Sequence, residues 1–217
     1  MISKDTMILF DLDGTLWDSS ENVAGSWNLV LKKRNIDRQL LTSDDIKAVM
    51  GKTMSEIADI LFPMLDDETK ASLADECMNF EVEYIAENGG ILFEGVRETL
   101  EKLRNRGFKL AIVSNCQTGY IGAFLRSMNM SGFFCDTEEW GNTLRPKGEN
   151  IRLVMERNGF SKGIYIGDTS GDEVAAKSAG IPFIFAYYGF GKVRDAEKII
   201  YSFKELPNCL ESEDAVW

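Results

Sequence analysis

Short apolar runs and amphipathic stretches alternate along most of the chain. The runs Met7–Phe10, Leu110–Val113, Ile164–Ile166 and Ile181–Phe185 predict buried parallel strands. Between them, apolar residues recur at intervals of three and four positions, which is typical of helices packed on a sheet. This alternation predicts an α/β fold with a doubly wound, mostly parallel, Rossmann-like sheet.

The helix predicted just before the run Ile181–Phe185 carries small residues on its apolar face. Val174, Ala175 and Ser178 are spaced as one side of a helix, and Gly180 follows where a left-handed turn commonly ends a helix. We therefore expect these three residues to pack on the sheet.

One stretch, residues 22–88, breaks the alternation because it contains helix signals and no convincing strand. Pro63 ends one helical pattern, and the pair Gly89-Gly90 ends the last one. The sequence thus predicts an all-helical domain inserted directly after the first strand. The predicted boundaries are residues 18–90 for the insert, and 1–17 with 91–217 for the sheet-containing core.

Composition excludes several classes of function. The chain has 217 residues, and its 24 Lys and Arg against 35 Asp and Glu give a formal net charge of −11. This acidic balance argues against nucleic acid or an anionic membrane as a partner. The chain contains no histidine, so Ser-His-Asp catalysis, Cys-His catalysis and His-ligated zinc are excluded. An enzyme made from this sequence must transfer protons through carboxylates, Lys, Tyr or Cys.

Four cysteines and the amino-terminal residues bear on the cellular compartment. The cysteines are far apart and form no C-x-x-C pair, so we expect reduced, mostly buried thiols. The apolar run Met7–Phe10 is too short for a signal peptide, and no apolar segment is long enough to span a membrane. We expect a cytoplasmic protein.

Two carboxylates follow the first predicted strand, in the segment Asp11-Leu12-Asp13-Gly14-Thr15. Ligands of open α/β sheets bind beyond the carboxyl ends of the strands, which is where this segment lies. Gly14 allows the backbone to turn sharply. Neighbouring carboxylates repel each other unless a cation is present, so the segment predicts a hard divalent ion, most simply Mg²⁺.

Four motifs in a fixed order give the sequence a resemblance to a known family. They are Asp11-x-Asp13-Gly14-Thr15-Leu16, Ser114-Asn115, Lys147 ahead of a helix, and Gly167-Asp168 with Asp172 four residues later. Because it carries these four motifs in this order, the chain resembles the haloacid-dehalogenase-like superfamily, in particular its phosphoglycolate-phosphatase-like and β-phosphoglucomutase-like members. The resemblance extends over almost the whole chain.

The resemblance implies a role for each carboxylate. Asp11 would attack the substrate phosphorus and become an aspartyl phosphate, while Asp13 would protonate the leaving oxygen and later activate water. Mg²⁺ would be held by the Asp11 carboxylate, the Asp13 backbone carbonyl and the Asp168 carboxylate. Asp172 would orient a metal-bound water or Lys147.

The resemblance also implies a set of phosphate contacts. Ser114 would donate a hydrogen bond to the phosphoryl oxygens and Lys147 would neutralise them, with Asn115 and Thr15 beside them. Thr15 is also expected to support the geometry of the aspartates. Taken singly, several of these residues have simpler interpretations. Lys147 could be a solvated helix start, and Asp168 and Asp172 could cap a helix; the order of the motifs favours function.

The inserted helices resemble the small cap of this family, which closes over the site and excludes water. Gly51-Lys52-Thr53 lies between two predicted helices and resembles the loop that reaches the substrate. We therefore expect Lys52 to contact the non-reacting part of the substrate, such as a carboxylate or hydroxyls.

The resemblance implies a Mg²⁺-dependent phosphatase of a small phosphorylated metabolite, either phosphoglycolate-like or a sugar phosphate. A sugar phosphomutase and a nucleotidase are alternatives, and a non-catalytic binding protein on the same scaffold is a third. The expected partner is the small metabolite, without nucleic acid or membrane, and the protein is expected to be a monomer or a homodimer.

Overall fold

The computed structural model describes residues 2–211, in which strands and helices alternate. The strands are β1 (Thr6–Phe10), β2 (Trp17–Asp18), β3 (Ile91–Leu92), β4 (Leu110–Ser114), β5 (Asp136–Glu139), β6 (Lys162–Gly167), β7 (Phe183–Ala186) and β8 (Ile199–Ile200). The helices are α1 (Ser20–Lys33), α2 (Ser43–Lys47), α3 (Met54–Leu61), α4 (Asp67–Asn88), α5 (Val96–Asn105), α6 (Tyr120–Ser127), α7 (Trp140–Thr143), α8 (Lys147–Arg157), α9 (Ser170–Ala179) and α10 (Leu206–Glu211). A short 3₁₀ helix covers Phe203–Glu205.

Six of the strands form one parallel sheet in the order β5-β4-β1-β6-β7-β8. Side chains of β1 alternate between two apolar cores, with Ile8 and Phe10 in one and Met7 and Leu9 in the other. A strand whose two faces are both covered has no polar side, which explains its continuous apolar run. The predicted α/β, Rossmann-like fold is confirmed.

The strands differ from the sequence prediction in two places. In the run Ile181–Phe185, strand β7 begins only at Phe183, because Pro182 has no N–H to donate to a neighbouring strand. Strand β5 was not predicted because its sequence, Asp-Thr-Glu-Glu, is polar. Two of its three charges are paired with Arg157, which bonds to Asp136 and Glu138, and Glu139 accepts from backbone N–H groups.

The apolar face predicted for helix α9 is rotated in the structure. Val174 is 66% exposed, and the buried residues of the helix are Asp172, Ala175 and Ala176. These three share one side of a helix at spacings of three and four. Because Asp172 points inward, the buried face includes this carboxylate rather than the valine. The prediction is confirmed for Ala175 and wrong for Val174 and Ser178, which are both exposed.

The interval between β2 and β3 contains helices α1 to α4 and no strand. Strands β2 and β3 pair antiparallel, with Trp17 opposite Leu92 and Asp18 opposite Ile91. The two chain segments that enter and leave the helical interval therefore run side by side.

Cysteine burial and helix length bear on two further predictions from the sequence. None of the four cysteines, all of which lie in the described part of the chain, forms a disulfide, but only Cys77 is buried and Cys135 is exposed, so the expectation of mostly buried thiols is wrong. Between residues 2 and 211, no helix combines the length and the apolar character needed to cross a membrane.

Candidate active site

Three neighbouring strands bring the predicted site residues to one edge of the sheet. Strand β1 lies between β4 and β6, and their carboxyl ends carry Asp11, Ser114 and Asp168. The backbone N–H of Asp11 still donates to the carbonyl of Ile166 at 2.8 Å, which holds the end of β1 against β6. Residues separated by more than 150 positions in the chain thus meet because parallel strands end at the same edge.

Lys147, the first residue of α8, joins two of the aspartates. Its Nζ donates to Oδ1 of Asp11 at 2.8 Å and to Oδ1 of Asp172 at 2.7 Å, and all three side chains are buried. Asp172 also accepts from the backbone N–H of Thr169 at 3.0 Å. Asp172 therefore caps α9 and also orients Lys147, so both interpretations from the sequence describe part of its environment.

Asp168 is enclosed by backbone. Its Oδ2 accepts from the N–H groups of Phe190 and Gly191 at 2.8 and 3.1 Å, and the Thr15 hydroxyl lies 3.5 Å from Oδ1. Gly14 has a φ of 82°, and a Cβ there would lie 2.3 Å from Asp168 Oδ2. This tight enclosure fixes the carboxylate, and Thr15 is fully buried against it.

The carboxylates of Asp11, Asp168 and Asp172 form a compact group whose ligand oxygens all lie within 4.8 Å of one another. Burial raises the pKa of Asp11 well above its usual value; Lys147 opposes this rise, and the two other carboxylates add to it. Burial and then Asp172 raise the pKa of Asp168. Burial alone would lower the pKa of Lys147, but Asp11 and Asp172 raise it well above its usual value.

The Asp13 side chain lies in a separate set of hydrogen bonds. Its Oδ1 accepts from Trp17 Nε1 at 2.9 Å, from Ser19 Oγ at 2.6 Å and from the Tyr120 hydroxyl at 3.0 Å. Burial raises the pKa of Asp13 to about 6, although all three donors lower it. A carboxyl group with this pKa exchanges protons readily near neutral pH.

A small cavity lies between the sheet edge and helices α1 to α4. Its volume is about 60 Å³, and its wall includes Asp11, Asp13 and Ser114 on one side and apolar residues on the other. Since one water needs roughly 10–15 Å³ on this scale, the cavity holds only a few waters. The apolar wall consists chiefly of Val23, Trp27, Ile46, Val49, Met50, Met54 and Ile57.

The loop between α2 and α3 borders this cavity. Asn115 Nδ2 donates to the backbone carbonyl of Gly51 at 3.2 Å, which joins the end of β4 to this loop. Lys52 lines the same cavity but is exposed. The structure thus brings Lys52 to the site, and it places Asn115 in a contact with the loop.

Three of the Asp13 partners were not singled out as functional residues. Trp17 and Ser19 continue the first motif, so their position was a signal; Tyr120 lies 107 residues from Asp13 and gave none. The segment Tyr187–Gly191 was not singled out either, yet two of its N–H groups donate to Asp168.

Comparison with known proteins gives matches over most of the chain. The family described as haloacid dehalogenase-like hydrolase matches residues 8–186. A phosphoglycolate phosphatase from Caulobacter vibrioides is 27% identical over 214 residues, which cover 93% of this chain and 89% of that protein. One from Escherichia coli is 28% identical over 212 residues, covering 84% of this chain and 81% of that protein.

Solved structures agree with these matches. A structure from Bacteroides fragilis, described as a haloacid dehalogenase-like hydrolase, is 27% identical and superposes with a TM-score of 0.79. The superposition covers 93% of this chain and 99% of that chain. The resemblance that the four motifs indicated is therefore confirmed, including its phosphoglycolate-phosphatase-like subgroup.

Proposed function

The chain belongs to the haloacid dehalogenase-like hydrolase family, and we propose that it is a Mg²⁺-dependent phosphatase of a small phosphorylated metabolite that works through an aspartyl phosphate on Asp11. The predicted class, phosphoric monoester hydrolase, agrees with the family and with the names of the two phosphatase relatives. The observation that carries the mechanism is the buried group of three carboxylates around Lys147 at the strand ends.

The residues present fit a divalent cation. Asp11, Asp168 and Asp172 supply three carboxylates and Lys147 one ammonium, so two negative charges are in excess in a buried place. Oxygen ligands of this kind suit Mg²⁺. Asp11, Asp168 and the backbone carbonyl of Asp13 would hold the ion, since both oxygens of Asp172 already accept hydrogen bonds, Oδ1 from Lys147 and Oδ2 from Thr169. When bound, the ion offsets the excess charge and polarises the phosphoryl group.

In the first step, an Asp11 carboxylate oxygen attacks the substrate phosphorus, and the bond from phosphorus to the ester oxygen breaks. Asp13 donates its proton to that oxygen, so the leaving group departs as a neutral alcohol. Ser114 and the Lys147 ammonium stabilise the phosphoryl oxygens during the transfer. The hydrogen bonds from Trp17, Ser19 and Tyr120 hold Asp13 in place.

In the second step, a water attacks the phosphorus of the aspartyl phosphate and the bond to Asp11 breaks. Asp13, now ionised, accepts the proton of the attacking water, and inorganic phosphate leaves. Both residues return to their starting state. Because the cavity lies under helices α1 to α4, bulk water is kept away from the reacting groups.

We further propose that residues 18–90 act as a mobile cap on a core made of residues 1–17 and 91–217. The paired strands β2 and β3 support this division, because both connections between the two parts run through them. The contact between Asn115 and Gly51 would form when the cap closes.

We also propose a cytoplasmic location and a small-molecule partner. Four cysteines without a disulfide among them suit a reducing compartment, which supports a cytoplasmic enzyme. The net charge of −11 supports a small-molecule substrate over nucleic acid or an anionic membrane. A monomer or a homodimer fits the proposal equally well.

The proposed function is tested by measuring free phosphate released from a panel of small phosphate monoesters. With Mg²⁺ we expect release, and with EDTA we expect it to fall by at least about 10²-fold, since the metal supplies several kcal/mol of charge stabilisation. Activity that is indifferent to EDTA would contradict the proposal. Turnover without free phosphate would instead favour the sugar phosphomutase.

Lys52→Ala is expected to raise KM for the best ester by about 10-fold while changing kcat little, because an exposed loop cation contacts the substrate away from the reacting atoms. Lys32→Ala, an exposed lysine of α1, is the control and should leave both constants unchanged. An unaltered KM in Lys52→Ala would rule out this role for the loop.

A further inference from the structure

A buried glutamate of α4 forms part of the wall of the reaction cavity. Glu81 is 6% exposed and lines the cavity together with Asp11, Asp13 and Ser114. It lies on the helical insert, while the three others belong to the sheet edge. Glu81 thus borders the space next to Asp11 and Asp13, and none of the proposed catalytic steps uses it.

Two donors fix the orientation of this carboxylate. Trp27 Nε1 of α1 donates to Glu81 Oε2, and Gln117 Nε2, from the loop after β4, donates to Glu81 Oε1 at 2.9 Å. An ionised carboxylate accepts about four hydrogen bonds, so about two acceptor positions stay available. Since Glu81 lines the cavity, a bound molecule can use them.

The charge of Glu81 has no cationic partner among the ion pairs of residues 2–211. Burial raises the pKa of Glu81 to about 7; Gln117 and Trp27 oppose this rise, and Asp13 adds to it. A buried carboxylate without a counter-ion lowers the stability of the fold. An apolar residue or an amide would fill this place at lower cost, so a carboxylate here points to a ligand.

Neither of the two lysines near the reacting groups forms an ion pair with Glu81. Lys147 is already bonded to Asp11 and Asp172. Lys52 lines the cavity from the exposed loop and forms no ion pair with Glu81 within the described residues. At a pH above about 7, where Glu81 is mainly ionised, a leaving group that reaches it meets a negative acceptor. A hydroxyl or an ammonium suits this acceptor, whereas a carboxylate would be repelled by it.

We propose that Glu81 is a specificity-determining residue that accepts a hydrogen bond from a hydroxyl or ammonium group of the leaving group and disfavours leaving groups that carry a carboxylate. The preferred substrates are then phosphate monoesters of small polyols or amino alcohols. This inference rests on the proposed phosphatase function and names the substrate class of the same site. It separates this chain from the activity in the names of its phosphatase relatives, because phosphoglycolate carries a carboxylate.

The test uses four monoesters of the same two-carbon length: 2-hydroxyethyl, 2-aminoethyl, ethyl and carboxymethyl phosphate, the last being phosphoglycolate. With Mg²⁺, we expect kcat/KM of the wild type for the hydroxyethyl and aminoethyl esters to exceed that for phosphoglycolate by about 10-fold or more. Hydrogen bonds to a charged group have this magnitude. The kcat/KM for the ethyl ester should lie between that for phosphoglycolate and those for the hydroxyethyl and aminoethyl esters. Comparison of the last two shows whether a hydroxyl or an ammonium donor is preferred.

Glu81→Gln removes the charge and keeps the shape. The ratio of kcat/KM for the aminoethyl ester to kcat/KM for phosphoglycolate should fall by at least about 10-fold. We expect kcat/KM to decrease for the aminoethyl ester and to increase for phosphoglycolate. Glu83→Gln changes an exposed glutamate of the same helix and should leave all ratios as in the wild type. Ratios between esters within one variant do not depend on how much of that variant is folded.

Each outcome decides the inference. A wild type that prefers phosphoglycolate, or ratios that stay the same in Glu81→Gln, would overturn it while leaving the phosphatase intact. If neither these esters nor the activated p-nitrophenyl phosphate released phosphate with Mg²⁺, the proposed function itself would fail, and the inference with it.

Discussion

Asp11→Asn is expected to lower Mg²⁺-dependent phosphate release by at least about 10³-fold, because the amide cannot attack phosphorus and no other residue replaces a covalent nucleophile. The side chain keeps its shape and an oxygen that can accept from Lys147. Loss of activity would therefore report on the chemistry rather than on a collapsed site. Phosphate release by purified variants, extrapolated to saturating substrate, measures the effect.

The control for this prediction is Asp37→Asn, which makes the same change at an exposed position. It should release phosphate at the rate of the wild type. Urea unfolding should show Asp11→Asn folded, since the substitution removes one of three crowded buried carboxylates. If Asp11→Asn released phosphate as fast as Asp37→Asn, the nucleophile would have to be another group.

Lys147→Met is expected to have the second largest effect, on both stability and activity. The ammonium contacts Asp11 at 2.8 Å and Asp172 at 2.7 Å, and its removal leaves buried carboxylates without this counter-charge. Breaking a buried ion pair by removing one partner costs about 3–5 kcal/mol. We expect a loss of this size in the free energy of unfolding measured with urea in EDTA.

Activity of Lys147→Met should fall by about 10²-fold or more, because the phosphoryl oxygens lose a positive charge in a buried site. Lys102→Met, on the exposed side of α5, is the matched control and should change neither property measurably. A variant Lys147→Met as stable and as active as Lys102→Met would show that the ion pairs are incidental.

The sequence predicted the centre of the sheet well because β1, β4 and β6 are apolar on both faces. Strand β5 was invisible for the opposite reason. Its Asp and Glu residues are held by Arg157 and by backbone N–H groups of Gly119 and Ile121, partners that only the fold brings near. Polar strands of this kind have no periodic signature.

The carboxylates of the candidate site were predictable because each follows a strand end within a short motif. The residues that tune them were not. Tyr120 reaches Asp13 across the fold, and the cavity residue Glu81 has the same local sequence character as exposed Glu83, two positions later on α4. Whether a glutamate on such a charged helix is buried depends on what packs against it.

The central claim is that phosphoryl transfer passes through Asp11. The most direct test is to stop turnover of the Mg²⁺-loaded wild-type enzyme with acid within milliseconds and to locate phosphoryl groups by peptide mass spectrometry. The account predicts one phosphoryl group on the peptide that contains Asp11, appearing with substrate, decaying as phosphate is released and absent from Asp11→Asn. Full turnover without any phosphorylated peptide, or with the phosphoryl group on another residue, would contradict it.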